Sequence, residues 1–353
     1  MAQPVGPAEL AEFVRAGEVI EGANLTGWNL GRVDLNGGVF IKSQFNRTDL
    51  GSASLKDCVF IECEFEHASL QHASLCESVF HNCTLRAVDG RGSDWSEVSF
   101  FSGLMHGVTL ESAIVKGIVF QGCSMHECSF RSCEIVTASF LDVHAVGLDF
   151  RDARLHRCML KGLDLRGSQL AGSSFDFCVL IEAVLENLDL SDMNLDMCQF
   201  MRADLRGAVL RRTSLMQAGF QDAVLAGADL SHAKLASAVF MGANLEGCDF
   251  TGACLESSVF VDALAERCKF NDARAAQSIW QRARCSGSCF DGADLTYADF
   301  SHADVRNARF VNAGLFRAQL HAILDDQALI PERRMALGTD ADRLEAERWK
   351  PSV

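Results

Sequence analysis

The feature that most constrains this chain is a five-residue period that never slips. No insertion breaks its phase from residue 23 to residue 322. At every fifth position from 25 to 320, Leu or Phe fills 48 of 60 places, and Met, Val, Ile or Trp fills seven more. The exceptions are Gly90, Ala145, Ala265, Ala275 and Cys285. Two residues before each centre the residue is Ala, Cys, Ser, Thr or Gly in 49 of 60 cases. The pentads Ala23-Asn24-Leu25-Thr26-Gly27, Ala203-Asp204-Leu205-Arg206-Gly207 and Ala293-Asp294-Leu295-Thr296-Tyr297 show the unit plainly. A period of five fits neither a 3.6-residue helix nor a strand of period two continued indefinitely. It fits a short extended stretch that turns its small and its large residue inward and is followed by a turn. Such a unit is too short to bury anything alone, so the units must stack on themselves as a solenoid.

Phenylalanine sets the length of one coil. Of the fourteen positions 40, 60, 80 through 300, eleven are Phe and Trp280 is a twelfth aromatic, with Leu160 and Leu180 the exceptions. Aromatics recurring every twenty residues make residues i and i+20 stacked neighbours, four units to a coil. Sixty units then give about 15 four-sided coils.

This pattern resembles the pentapeptide repeat family, with its A-(D/N)-L-x-x consensus, over about 300 of the 353 residues. The resemblance implies an all-β solenoid, a right-handed quadrilateral β-helix. The expected organisation is a helical cap over residues 1–20, the β-helix over 21–322, and a C-terminal cap or tail over 323–353. The stretch from Pro7 to Gly17 reads as a short amphipathic helix, Pro at its start and Gly past its end, with Leu10, Phe13 and Val14 over the first coil. Asp342 to Trp349 reads as a second short helix stopped by Pro351. It is either a lid that buries Trp349 or a tail for dimerisation or a partner.

The formal charge of −15 argues against a general nucleic-acid binder and against attraction to anionic lipid. No run of 18 apolar residues is present, and the start, Met1 to Pro7, has no basic segment leading into an apolar core. The fifteen Cys are odd in number and form no Cys-x-x-Cys pair. Most recur at multiples of five, as in Cys123, Cys128 and Cys133, which marks a repeat slot for a small side chain. Buried, reduced thiols in a cytoplasmic protein are therefore expected, rather than disulfides or zinc. GxxxxGK[ST], GxSxG and HExxH are all absent, the histidines are scattered, and a filled solenoid has no evident cleft. A non-enzyme without cofactor or metal is the expectation.

One outer face differs from the others. The column before the Phe ladder holds Val39, Val59, Val79, Val119, Met159, Val179, Val239, Val259 and Ile279. The column after it holds Ile41, Ile61, Phe101, Leu141, Ile181, Met201, Met241 and Val261. Seventeen of these 28 outward positions are apolar. The candidate partner-binding residues are Val39, Ile41, Val59, Ile61, Val79, Phe101, Val119, Leu141, Val179, Ile181, Val239, Met241, Val259, Val261 and Ile279. An apolar outer face of this kind marks a docking site for a protein partner or a second copy of the chain. Gly90 is expected to mark a local bulge filled by a neighbour. The small centres Ala265, Ala275 and Cys285 are expected to offset the bulk of Trp280.

The leading functional expectation is a protein-interaction scaffold or adaptor. The opening from Ala8 to Glu18 and the end from Gly338 to Trp349 are similar to accessory pentapeptide proteins of bacterial type VI secretion, which implies a role coupling cargo to the secreted spike. The alternative is the DNA mimicry of family members that bind DNA gyrase and protect it from fluoroquinolones. Acidity favours it. Interspersed Arg residues, and the lack of any loop that breaks the five-residue phase, count against it.

Overall fold

The computed structural model describes residues 4–349. Residues 1–3, and Pro351 with its neighbours at 350, 352 and 353, lie outside the described residues. The chain divides into two compact units, Met1–Val184 and Leu185–Val353. Both are β-solenoids, and two short helices accompany them: α1 (Pro7–Arg15) in the first unit and α2 (Ala341–Arg348) in the second.

In the first unit a seven-stranded parallel sheet takes one strand from each turn: Val19–Glu21, Val39–Ile41, Val59–Ile61, Val79–His81, Ser99–Phe101, Val119–Gln121 and Ser139–Leu141. Pairing is in register at twenty residues, with Phe40 opposite Phe60 and Phe60 opposite Phe80. Two smaller sheets, of five and four strands, keep the same spacing. In the second unit the ladder consists of isolated bridges, again twenty apart, as between Gly219 and Val239 and between Val239 and Val259. There nearly every corner closes on a tight turn, such as Ala203 N–H donating to the Phe200 carbonyl at 2.9 Å. That leaves a single residue per side for the ladder.

Local chemistry explains the consensus. The second residue after each centre adopts positive φ, as in Gly27 (74°), Arg32 (62°), Asn187 (58°) and Asp262 (57°). This is the left-handed position of a type II turn. Asp or Asn just before the centre accepts the amide two residues on: Thr26 N–H to Asn24 Oδ1 at 3.1 Å, Thr251 N–H to Asp249 Oδ1 at 3.0 Å. Such Asx turns preset the corner. The main-chain ladder does the rest. Leu205 N–H donates to the Val224 carbonyl at 2.7 Å, and Val224 N–H donates back to the Ala203 carbonyl at 2.9 Å.

Inside, the Phe rings stack. Phe40 and Phe60 have centroids 5.3 Å apart at 10°, and in the second unit Phe200, Phe220, Phe240 and Phe260 follow at 5.0, 4.9 and 4.8 Å. A second ladder, Phe250–Phe270–Phe290–Phe310, meets the first edge-on, with Phe240 and Phe250 crossing at 86°. Stacked and edge-to-face pairs of this kind are favoured by the ring quadrupole.

Gly90 forms no bulge, contrary to expectation. Its amide donates to the Thr109 carbonyl at 2.8 Å, and Asp89 bridges Ser69 and Thr109 in register. The space is taken by a neighbour: a Cβ at Gly90 would stand 2.8 Å from Leu110 Cδ2. The indole of Trp95 donates to Ser93 Oγ at 2.6 Å, and Ser93 Oγ donates to the Gly90 carbonyl. The same device recurs around Trp280, whose Nε1 donates to Ser278 Oγ at 2.7 Å, which donates to the Ala275 carbonyl at 2.6 Å. A small centre, a Ser three residues on and a Trp five residues on bury an indole with its N–H satisfied. Trp280 itself lies on Phe260, centroids 3.9 Å apart.

The small inward slot accepts Cys for the same reason it accepts Ser and Thr. Cys58 Sγ donates to the Leu35 carbonyl at 3.0 Å, and Thr48 Oγ1 donates to the Leu25 carbonyl at 2.8 Å. In the second unit Cys248 and Thr213 do likewise toward Leu225 and Leu190. In α1, Leu10, Ala11 and Val14 are buried and Phe13 is half-buried. α2 is different. Asp340 caps it by accepting the Arg343 amide at 3.1 Å, but the helix buries no residue, and Trp349 is 73% exposed. Of the two alternatives, the lid that buries Trp349 is therefore not formed, because α2 has no apolar stripe to lay down. Among the described residues no helix is long and apolar enough to cross a membrane.

No disulfide joins the fifteen cysteines, and only Cys76, Cys254 and Cys289 are partly exposed. Burial pushes the thiols of Cys58, Cys128 and Cys268 up to about 12 and that of Cys133 to about 11. In a thiol-titration experiment at pH 8, at most these three partly exposed thiols should react while the protein is native. All fifteen should react after unfolding. Prompt reaction of more than three in the native protein would contradict this burial.

Candidate interaction face

The structure sets the apolar columns on the outer side of the Phe sheet. In the first unit Val39, Val59 and Val79 stand in register, as do Ile41 and Ile61, and Met159 bridges to Val179. Phe101 pairs with His81 and Gln121, and Leu141 with Gln121, so polar residues interrupt the second column. Val119 lies between Ser99 and Ser139. Val179 and Ile181 flank Leu180. All ten first-unit candidates are half-buried rather than open, because each is sandwiched by its neighbours one strand spacing away. In the second unit Val239, Val259 and Ile279 form one column, with Met241 and Val261 beside them. Met241 is 46% exposed.

Other exposed apolar side chains went unread. Ile114, Val146 and Phe177 in the first unit and Met216, Tyr297 and Phe316 in the second are each more than 40% exposed. Most sit at or beside corners in columns that read polar, so averaging over a column hid them. Phe177 occupies a left-handed corner and carries His156 edge-on at 5.5 Å.

The acidic columns are neutralised locally. In Asp89-Gly90-Arg91, Asp149-Phe150-Arg151 and Asp164-Leu165-Arg166, the Arg two residues on returns to the carboxylate at 2.5, 2.6 and 2.7 Å. The second unit repeats the clamp at Asp204–Arg206 and Asp304–Arg306, both at 2.6 Å. The geometry is bidentate: Arg91 Nε also reaches Asp89 Oδ1 at 2.9 Å. The Arg91 hydrogen bonds hold the Asp89 carboxyl at about 2, and the matching bonds lower Asp149, Asp164 and Asp304.

A shallow groove of about 430 Å³ in the second unit is lined by Glu246, Glu266, Arg267, Arg284, Asp304 and Arg306. Its charges pair with one another, Arg284 with Glu266 at 2.7 Å and Arg267 with Glu246. The second unit also gathers His302, His321 and Glu347, brought together from two successive turns and from α2. Sequence reading scattered these histidines, because the acid that joins them lies beyond the repeat.

Family models match the stacked pentads in both units. "Pentapeptide repeat region" covers residues 29–110, and "Pentapeptide repeats (8 copies)" covers segments from 149 to 256 and from 268 to 321. The chain belongs to the pentapeptide repeat family. Among solved members, HetL, described as involved in heterocyst differentiation regulation in the cyanobacterium Nostoc, is 20% identical; the match covers 89% of this chain and 97% of that one, with a TM-score of 0.18. A trypsin-treated variant of QnrB1, a plasmid-mediated fluoroquinolone resistance protein, is 19% identical over 47% of this chain and 76% of its own, with a TM-score of 0.21. A pentapeptide repeat protein of the Arabidopsis thaliana thylakoid lumen is 25% identical over 35% and 72%, with a TM-score of 0.16. Comparison with curated proteins finds no match.

The Asp-x-Arg clamps carry a pH signature. A carboxyl whose folded value is depressed contributes stability above its ordinary value and loses it as pH falls through the folded value. Asp89 therefore contributes fully above pH 4 and loses its contribution down to about pH 2. The Asp89→Asn variant keeps the Asx acceptor but not the charge. Its thermal midpoint should lie below the parent's at pH 7, and the two should converge as pH approaches 2. A constant gap across that range would contradict the clamp.

Proposed function

We propose that this protein is a non-enzymatic interaction scaffold that binds a protein partner, or a second copy of itself, through the face outside the Phe sheet. Members of the pentapeptide repeat family commonly serve as such scaffolds. The observation that carries the reading is the pair of half-exposed apolar columns containing Val59, Ile61 and Val79 in the first unit and Val239, Met241 and Val259 in the second. Polar columns flank them, as at an interface rim. The finer architecture belongs to the same proposal: right-handed, four-sided coils, about 15 in all. So do a cytoplasmic location and an accessory role in bacterial type VI secretion. That role is supported by the terminal segments Ala8–Glu18 and Gly338–Trp349.

DNA mimicry toward gyrase is the second reading, favoured by the net charge of −15. The Asp-x-Arg clamps weaken it, since they cancel charge along the columns that a phosphate mimic would need. A gyrase supercoiling assay separates the two: the scaffold reading expects no inhibition at micromolar protein.

The direct test is Val59→Glu with Val79→Glu, and separately Val239→Glu with Val259→Glu. These outward side chains leave the core untouched. Each loses about 1.5 kcal/mol or more of interface burial, so a pair should weaken partner capture or self-association roughly 100-fold. Circular dichroism should not change. Unchanged association in both pairs, measured by sedimentation and by pull-down of secretion components, would remove the face from the account.

A further inference from the structure

α2 buries no residue fully, and polar contacts join it to the solenoid. His302 Nε2 and His321 Nε2 each lie 3.1 Å from the same atom, Glu347 Oε2. His321 is 3% exposed, and the two imidazoles meet edge-on with centroids 5.2 Å apart. Glu347 Oε1 accepts Arg343 Nε at 2.9 Å, which orients the carboxylate. Ser301, at an outward position beside His302, is fully buried, and its hydroxyl has no hydrogen-bond partner.

Three ligand atoms from three separate places thus lie within 4.8 Å of one another. Zinc bonds to nitrogen and oxygen run about 2.0–2.2 Å, so the ligands of a tetrahedral site stand about 3.3 Å apart. The two His–Glu separations are already close to that edge. We propose that His302, His321 and Glu347 form a binding site for one zinc-class divalent cation, which staples α2 to the last turns of the solenoid. Two imidazoles and one carboxylate suit Zn²⁺, Co²⁺ or Ni²⁺. Calcium and magnesium call for more oxygen ligands than this cluster offers. Three protein ligands leave the fourth position to water.

Binding has a structural consequence. Without metal, His321 Nδ1 accepts the Asp340 amide at 3.2 Å, so Nε2 carries the ring proton and donates it to Glu347. A cation on Nε2 takes the lone pair there, and the ring proton moves to Nδ1. The Asp340 N–H then faces another donor, and the 339–340 peptide must turn to offer its carbonyl instead. That carbonyl becomes the outer hydrogen-bond partner that metal-bound histidines ordinarily have. Asp340 is the cap of α2, so loading the site is coupled to the start of the helix.

The test uses the full chain. Isothermal titration with ZnCl₂ should give one equivalent bound. His302→Ala, at a side chain 37% exposed, should fold normally and weaken binding about 10-fold or more, as should Glu347→Gln. Hydrogen exchange at the Asp340 amide should change on zinc addition in the parent and not in either variant. Co²⁺ should give a spectrum without a thiolate charge-transfer band, which separates this site from the fifteen cysteines. Absence of saturable binding, an affinity in both variants equal to the parent's, or a thiolate band would each overturn the proposal and leave the cluster as a hydrogen-bonded latch.

Discussion

Everything in this molecule depends on main-chain ladders that join residues twenty apart. Each pentad offers too little surface to be stable alone, and each corner places a residue at positive φ, where most side chains are strained. The ladder offsets that repeated cost. Once it is fixed, like side chains must stack on like, so Phe lies over Phe and the small slot lies over the small slot. The twenty-residue period is therefore both a statement about sequence and the hydrogen-bond register itself.

The outer surface follows from the same register. Outward residues become columns with neighbours above and below, which is why most of the valines and isoleucines outside the Phe sheet are half-buried. It is also why acidic residues can be numerous without mutual repulsion. The Asx turn fixes Asp just before the centre, and an Arg just after it points back along the same edge. The carboxylate thereby serves the corner and the ion pair together. Where the Asp-x-Arg clamp occurs, acidity that serves the turn is cancelled at short range, while the chain as a whole keeps its charge of −15.

Much of this was legible in the residues because a repeat multiplies weak signals. The inward pair, the twenty-residue stack and the burial of the cysteines that occupy the small slot all follow from periodicity. What periodicity cannot show is chemistry carried by single departures from the repeat. Gly90 read as a bulge because a missing side chain looks like a fault; the space is taken by Leu110 of the next turn, a tertiary contact, beside the local Ser93–Trp95 hydrogen bond. Around Trp349 the residues left a lid and a tail both open; α2 lacks the apolar stripe that a lid needs. The second aromatic ladder, Phe250 to Phe310, occupies only part of its column, which holds Leu at 190, 210 and 230, so its period is weak along the whole chain. Glu347 lies outside the repeat, so no column pointed to the cluster it makes with His302 and His321.

The most direct measurement of the central claim is a phenylalanine-selective nuclear Overhauser experiment on the aromatic ladder of the second unit. Ring protons of Phe240 should correlate with those of both Phe220 and Phe260, whose centroids lie 4.9 and 4.8 Å away. Replacing Phe240 with Leu should remove both correlations at once. If those correlations are missing, or survive the replacement, the twenty-residue register is wrong.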